Sequence, residues 1–177
     1  FCDGPVHQNR QQQVVFGVRG VTGMEITLYG ARRPLHSGHY GNWAPNPAMM
    51  LAKLIGSMKG DDDRVLVKGF YDEVAPLTEV ERKALAVAPR FDDELKSELW
   101  LKWTEGGGHR LDMLINMPSL NVRGLRSATV GVLGRNIVPS TATASIDIRL
   151  VKGMDPRKTT DRVLRHIREQ GYHVVET

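Results

Sequence analysis

Histidine is the side chain best suited to bind a metal or move a proton near neutral pH, and this sequence holds six, at positions 7, 36, 39, 109, 166 and 173. None is spaced to build by itself a zinc site with the three protein ligands that catalysis generally needs. The chain also lacks a His-Glu-x-x-His, a Gly-x-Ser-x-Gly, a Walker loop and a Cys-x-x-Cys pair, so no self-contained active-site signature is present. His36 stands apart through its setting, Leu35-His36-Ser37-Gly38-His39-Tyr40-Gly41-Asn42, a glycine-broken loop of the kind a rigid scaffold uses to present functional groups. An imidazole held there can donate a hydrogen bond or carry a proton. Its plainer reading is an exposed loop histidine bonded to neighbouring backbone.

Such a loop needs elements to hold it. Residues 14 to 29 are rich in β-branched and aromatic types and alternate Met24, Ile26 and Leu28 with Glu25, Thr27 and Tyr29, which predicts a strand with one buried face. Asn46 can cap a helix opened by Pro47, with Met50, Leu51, Leu54, Ile55 and Met58 at helical spacing and an end near Gly60. Asp155 and Pro156 open another helix, with Val163, Leu164 and Ile167 on one face, ending before Gly171. Further strands are expected at Val65–Val67, Ser119–Val122, Thr141–Leu150 and Tyr172–Val175. Thr78 with Glu81 resembles a capping box, and a helical stretch from Asp92 to about Trp103 precedes the joint Gly106-Gly107-Gly108. Setting aside an inserted helical and irregular segment at about 60–117 leaves β-α-β-β-α-β. That order predicts an α+β, ferredoxin-like fold: a four-stranded antiparallel sheet with two helices on one face.

The 177 residues, 41% hydrophobic and 25% charged, suit a soluble globular chain with one sizeable core. Apolar runs are soon interrupted, as Met49-Met50-Leu51-Ala52 is by Lys53, so no membrane association is expected. A net charge of +4 invites a nucleic-acid reading, but the basic residues are scattered and no Lys/Arg block interleaves with aromatics. No nucleic-acid partner is expected. A single cysteine, Cys2, favours a reducing compartment, and Phe1-Cys2-Asp3-Gly4-Pro5 has neither a basic leader nor an apolar run. The expectation is a cytoplasmic protein, cut from within a longer polypeptide.

Taken in order, several segments resemble the lid, or dimerisation, domain of the M20 metallopeptidases, the family of carnosinase-like dipeptidases and related deacylases. Leu35-His36-Ser37-Gly38-x-x-Gly41, followed by Asn46-Pro47-Ala48, resembles its signature loop, and Gly17-Val18-Arg19-Gly20 the strand that enters the lid. Phe70-Tyr71-Asp72-Glu73-Val74 resembles its Gly-Phe-Tyr-Asp segment. Asn136-Ile137-Val138-Pro139 with Ile146-Asp147-Ile148-Arg149-Leu150-Val151 resembles the strand pair that ends the lid.

The resemblance implies that residues 1–16 are a remnant of a metal-binding catalytic domain and its linker, and that 17–177 form the lid. It assigns Asp3 as a carboxylate ligand of one of two divalent metal ions, with zinc the expected ion. His36 would reach from one subunit into the partner's site and donate a hydrogen bond to the scissile carbonyl oxygen, with Asn136 as a second donor there. Arg149 would grip the substrate's terminal carboxylate. Without the family pattern, Asp3 reads as a turn former, Asn136 as a loop cap and Arg149 as one half of a surface ion pair on an edge strand. The resemblance further implies a homodimer acting on a peptide or N-acyl amino acid with a free carboxylate. The isolated chain, without most metal ligands and the general base, is expected to bind no metal tightly and to be inactive. The rival reading is a non-catalytic protein–protein interaction module of similar fold. An RNA-binding domain ranks last, because Lys68-Gly69-Phe70 departs from the RNA-binding strand motif at Tyr71-Asp72.

Overall fold

The computed structural model describes residues 17–177, and Asp3 lies outside them. The described residues form an α+β fold built on strand β1 (Gly20–Tyr29), β2 (Leu35–His36), β3 (Ser119–Arg126), β4 (Ile137–Val138) and β5 (Thr141–Leu150). Helices α1 (Ser37–Tyr40), α2 (Pro47–Gly56), α3 (Glu79–Val87), α4 (Asp92–Glu98), α5 (Leu111–Leu114) and α6 (Pro156–Glu169) complete it. The main sheet is antiparallel in the order β1-β5-β3, and β2 pairs with β4 in a separate two-stranded ladder.

Strand β5 occupies the centre because its pattern satisfies both faces. Ala142, Ala144, Ile146, Ile148 and Leu150 are buried, and with Ile26 and Leu28 of β1 they pack against Leu51 and Leu54 of α2 and Val163 and Ile167 of α6. The two long helices therefore share one face of the sheet. Each fully buried aliphatic side chain contributes roughly 1.5–3 kcal/mol, so this layer supplies most of the driving force for the fold. The helix starts follow the sequence: Asn46 Oδ1 accepts from Ala48 N at 2.9 Å, and Asp155 Oδ1 from Arg157 N at 2.7 Å. The Thr78–Glu81 capping box forms in full.

Three expectations need correction. The main sheet has three strands rather than four. Residues 172–177 run beside the open edge of β1 at Gly23–Leu28 but make no ladder with it. Tyr172 and Val174 instead pack side-on against the core, and Tyr172 Oη donates to the Met50 carbonyl at 3.3 Å. The Val65–Val67 strand shrinks to a single bridge, Lys59 with Val65, yet Val65, Val67 and Phe70 are all buried. The core thus extends past residue 60, and only the later part of the expected insertion stands outside it. The helix opening at Asp92 stops at Glu98, where Trp100 takes a left-handed φ of 55°.

Helices α3, α4 and α5 contain no buried residue, and Trp100 is 92% exposed. A Lys59–Glu105 ion pair of 2.6 Å ties this region to the end of the core. Within it, the Arg110 guanidinium donates to the carbonyls of Leu85 and Ala88 and pairs with Asp112.

Glu73, in the segment that follows Phe70, joins the core to α6. It accepts from Lys158 Nζ at 2.6 Å and from Arg162 Nη1 at 3.0 Å, and these two cationic donors hold its carboxyl at about 2 instead of 4.5. A folded-state value below the unfolded one means that the stabilisation is whole above the unfolded value and is lost as pH falls toward the folded one. Urea midpoints compared between about pH 5 and about pH 2.5 should therefore fall more steeply for the native sequence than for Glu73→Gln.

Candidate functional site

His36 closes β2 and is at the same time the N-cap of α1. Its Nδ1 accepts a hydrogen bond from Gly38 N at 3.1 Å. A ring nitrogen that accepts carries no proton, so the neutral imidazole keeps its hydrogen on Nε2. The residue is exposed, and that N–H bonds no other described residue. The local sequence explains the geometry. Gly38 brings its amide close enough to bond the ring, and a Cβ there would stand 3.0 Å from His36 Cε1.

The β2–β4 ladder sets Leu35 opposite Val138 and His36 opposite Ile137. Ser37 N then donates to the Asn136 carbonyl at 2.9 Å, so Asn136 lies one step further along the same ladder as His36. Its side-chain amide is exposed and bonds none of the described residues. Two residues a hundred positions apart in the chain thus come to neighbouring backbone positions, both exposed. A row of rings continues from there: His36 to His39 at 4.8 Å, His39 to Tyr40 at 6.5 Å, and Tyr40 to Trp43 at 6.1 Å between centroids. Asn42, at a φ of 61°, makes the turn between the last two, and Trp43 is 79% exposed. These exposed rings escape an apolar-periodicity search because they belong to no buried face.

Arg149 lies elsewhere. It sits on the open face of β5, between Val21 and Ser119, with its side chain 46% exposed. Its Nε is 3.4 Å from Asp147 Oδ2, so the ion pair of the plainer reading exists, but on the central strand and not on an edge. Eight residues of extended chain, about 27 Å, separate it from the Thr141 end of β5, which β4 adjoins. The structure brings the backbones of His36 and Asn136 close together and leaves Arg149 apart. Asp147 and Asn121, which surround Arg149, were not singled out from sequence. A carboxylate two positions before Arg149, on the same strand face, was the available signal.

Among the described residues, no group of three or more His, Cys, Asp or Glu is placed to hold a metal ion. His166, buried against α2, donates from Nε2 to Ser57 Oγ at 2.9 Å while that hydroxyl donates to the Leu54 carbonyl. Burial lowers its pKa, with a smaller opposing effect from Glu169, which marks it as a packed structural histidine.

The profile of the peptidase dimerisation domain of M20 peptidases matches residues 16–175. The chain belongs to that family. Among its relatives, the Cys-Gly metallodipeptidase DUG1 of Saccharomyces cerevisiae is 30% identical over 157 residues, covering 86% of this chain and 32% of that protein. The Beta-Ala-His dipeptidase of Homo sapiens is 27% identical over 162 residues, 90% of this chain and 32% of that protein. Among solved structures, an M20 family metallo-carboxypeptidase from Sulfolobus solfataricus superposes with a TM-score of 0.84 at 30% identity, over 96% of this chain and 45% of that one. The chain spans about a third of the length of these curated relatives. Membership of the M20 dimerisation family agrees with the resemblance carried by the Leu-His-Ser-Gly loop. No helix of the described residues is long and apolar enough to cross a membrane.

The tautomer of His36 can be read directly. In long-range proton–nitrogen spectra of this M20 domain at alkaline pH, His36 Nε2 should show the shift of a protonated ring nitrogen and Nδ1 that of an acceptor. The reverse assignment would remove the donor from the exposed side.

Proposed function

We propose that this chain is the lid of an M20-type peptidase or amidohydrolase, and that it supplies oxyanion-stabilising and carboxylate-binding side chains for hydrolysis of an amide bond. The observation that carries this reading is the exposed imidazole of His36, whose neutral form keeps its proton on Nε2 because Nδ1 accepts from the Gly38 amide, on a ladder that also carries Asn136. Preorganised donors of this kind stabilise negative charge as it forms on a carbonyl oxygen and are worth on the order of 10²–10³ in rate each. Arg149 presents a planar fork suited to a terminal carboxylate. A dipeptide spans only about 7 Å, far less than the stretch of β5 between Arg149 and the Thr141 end. The two groups therefore serve different sites, which a homodimer would reconcile: the His36–Asn136 pair of one subunit reaching the partner's cleft, Arg149 serving another.

Metallodipeptidase relatives support metal use by the full-length protein. The two divalent ions, zinc first among candidates, would be held by residues outside those described, Asp3 among them. The isolated chain is then inactive, and the cytoplasm is its proposed compartment.

Dimerisation would use the open edge of β3 and the outer face of α2, where Leu125 and Met49 are exposed. Sedimentation of the isolated chain at high micromolar concentration should show a dimer; a monomer at all concentrations counts against this surface. In the full-length enzyme, His36→Ala should lower kcat by roughly 10²–10³ while metal content stays unchanged. Normal turnover in that variant would remove the oxyanion role. Peptide-bond hydrolysis that is absent from the full-length enzyme altogether would favour the interaction-module reading.

A further inference from the structure

The open face of the sheet, opposite the helices, gathers charge around one buried carboxylate. Asp147 stands between Gly23 on β1 and Asn121 on β3 and is only 6% exposed. Its Oδ1 accepts from Asn121 Nδ2 at 2.8 Å, and its Oδ2 faces Arg149 Nε at 3.4 Å. Glycine at position 23 lets β1 approach β5 closely here, since a Cβ would meet the Ile146 carbonyl oxygen at 2.9 Å. With Nε turned to Asp147, the two terminal nitrogens of Arg149 remain available as a fork.

Gly20 is paired with Leu150 and Val21 with Arg149, so Arg19, the residue just before β1, enters the sheet close to Arg149. The two side chains sense each other. The Arg19 pKa is lowered by burial and then by the charge of Arg149, with Asp147 acting in the opposite direction. Arg19 forms no hydrogen bond or salt bridge with the other described residues. Arg123, further along, is turned to Ser145 Oγ at 2.9 Å, and Glu25 lies opposite Ser145, beyond Gly23 from Arg149. Around Arg19 and Arg149, two positive charges face one negative charge that is already shared with Asn121. One further carboxylate makes the group neutral.

We propose that Arg19 is a second carboxylate-binding residue, gripping the free carboxylate of a peptide or N-acyl amino acid together with Arg149, and that Asp147, anchored by Asn121, is the positioning residue that holds the Arg149 fork toward it. This rests on the reading of Arg149 as a carboxylate ligand and extends it to a site of four named side chains.

The test compares, in the full-length enzyme, a dipeptide substrate with a free C-terminus and its C-terminal amide. Arg19→Gln should lower the acid-to-amide ratio of kcat/KM by roughly ten- to a hundredfold, mainly through KM, as expected when one charged hydrogen-bond partner is removed. Arg19→Lys, which keeps the charge and loses the fork, should fall between. Asp147→Asn should raise KM for the acid far more than it lowers kcat, with little change in KM for the amide. Thermal melting of each variant checks that it is folded. If Arg149→Gln lowers the ratio and Arg19→Gln weakens acid and amide equally, the two-arginine site is wrong and the Arg149 reading survives. If Arg149→Gln leaves the ratio unchanged, that reading falls and this site falls with it.

Discussion

Strand β5 is hydrogen-bonded along both edges, and its residues must satisfy two environments at once. Because side chains alternate with a period of two, the same ten residues send Ala142 to Leu150 into the helix-covered core and Thr143, Ser145, Asp147 and Arg149 to the open face. A one-residue slip of register would exchange those sets, exposing the aliphatic layer and forcing a guanidinium among the helices. The buried layer thus fixes where Arg149 points, although it never touches that side chain. The same constraint keeps Asp147 acceptable so near the interior, since Asn121 on the neighbouring strand arrives in register to satisfy it.

The other end of the sheet works by a different device. Here the strands give way to the short β2–β4 ladder, whose few backbone bonds join two loops distant in sequence. That ladder sets His36 opposite Ile137, one step from Asn136, and the Gly38 amide fixes the ring's proton. Position comes from local hydrogen bonds in place of burial, which leaves both residues open to solvent. In the proposed function these residues and Arg149 stand at opposite ends of one strand, so that a single copy would offer two half-sites. A two-fold assembly is the simplest way for such half-sites to be completed.

The region of α3 to α5 contrasts with both ends. None of its helical residues is buried, yet it is capped, ion-paired and tied to Lys59. Helices this short are marginal alone, and the bonds from Arg110 to Leu85 and Ala88 and from Leu111 N to Asp92 hold them to one another.

The sequence by itself determined the elements whose signals are local: the caps at Asn46, Thr78 and Asp155, the alternation of β5, and the apolar faces of α2 and α6. It also marked the His36 segment, though not its form: the expected glycine-broken loop is strand β2 followed by the single turn of α1, with Gly38 inside it. What it could not decide was pairing. Tyr172 and Val174 carry strand-like residue types, but whether they hydrogen-bond to β1 or pack side-on is settled by how α6 delivers them to the core. The environment of Arg149 was hidden for the same reason, since Asn121, Asp147 and Arg19 are brought together only by cross-strand register. Periodicity records which face a residue takes; only the folded sheet determines which distant residue stands beside it.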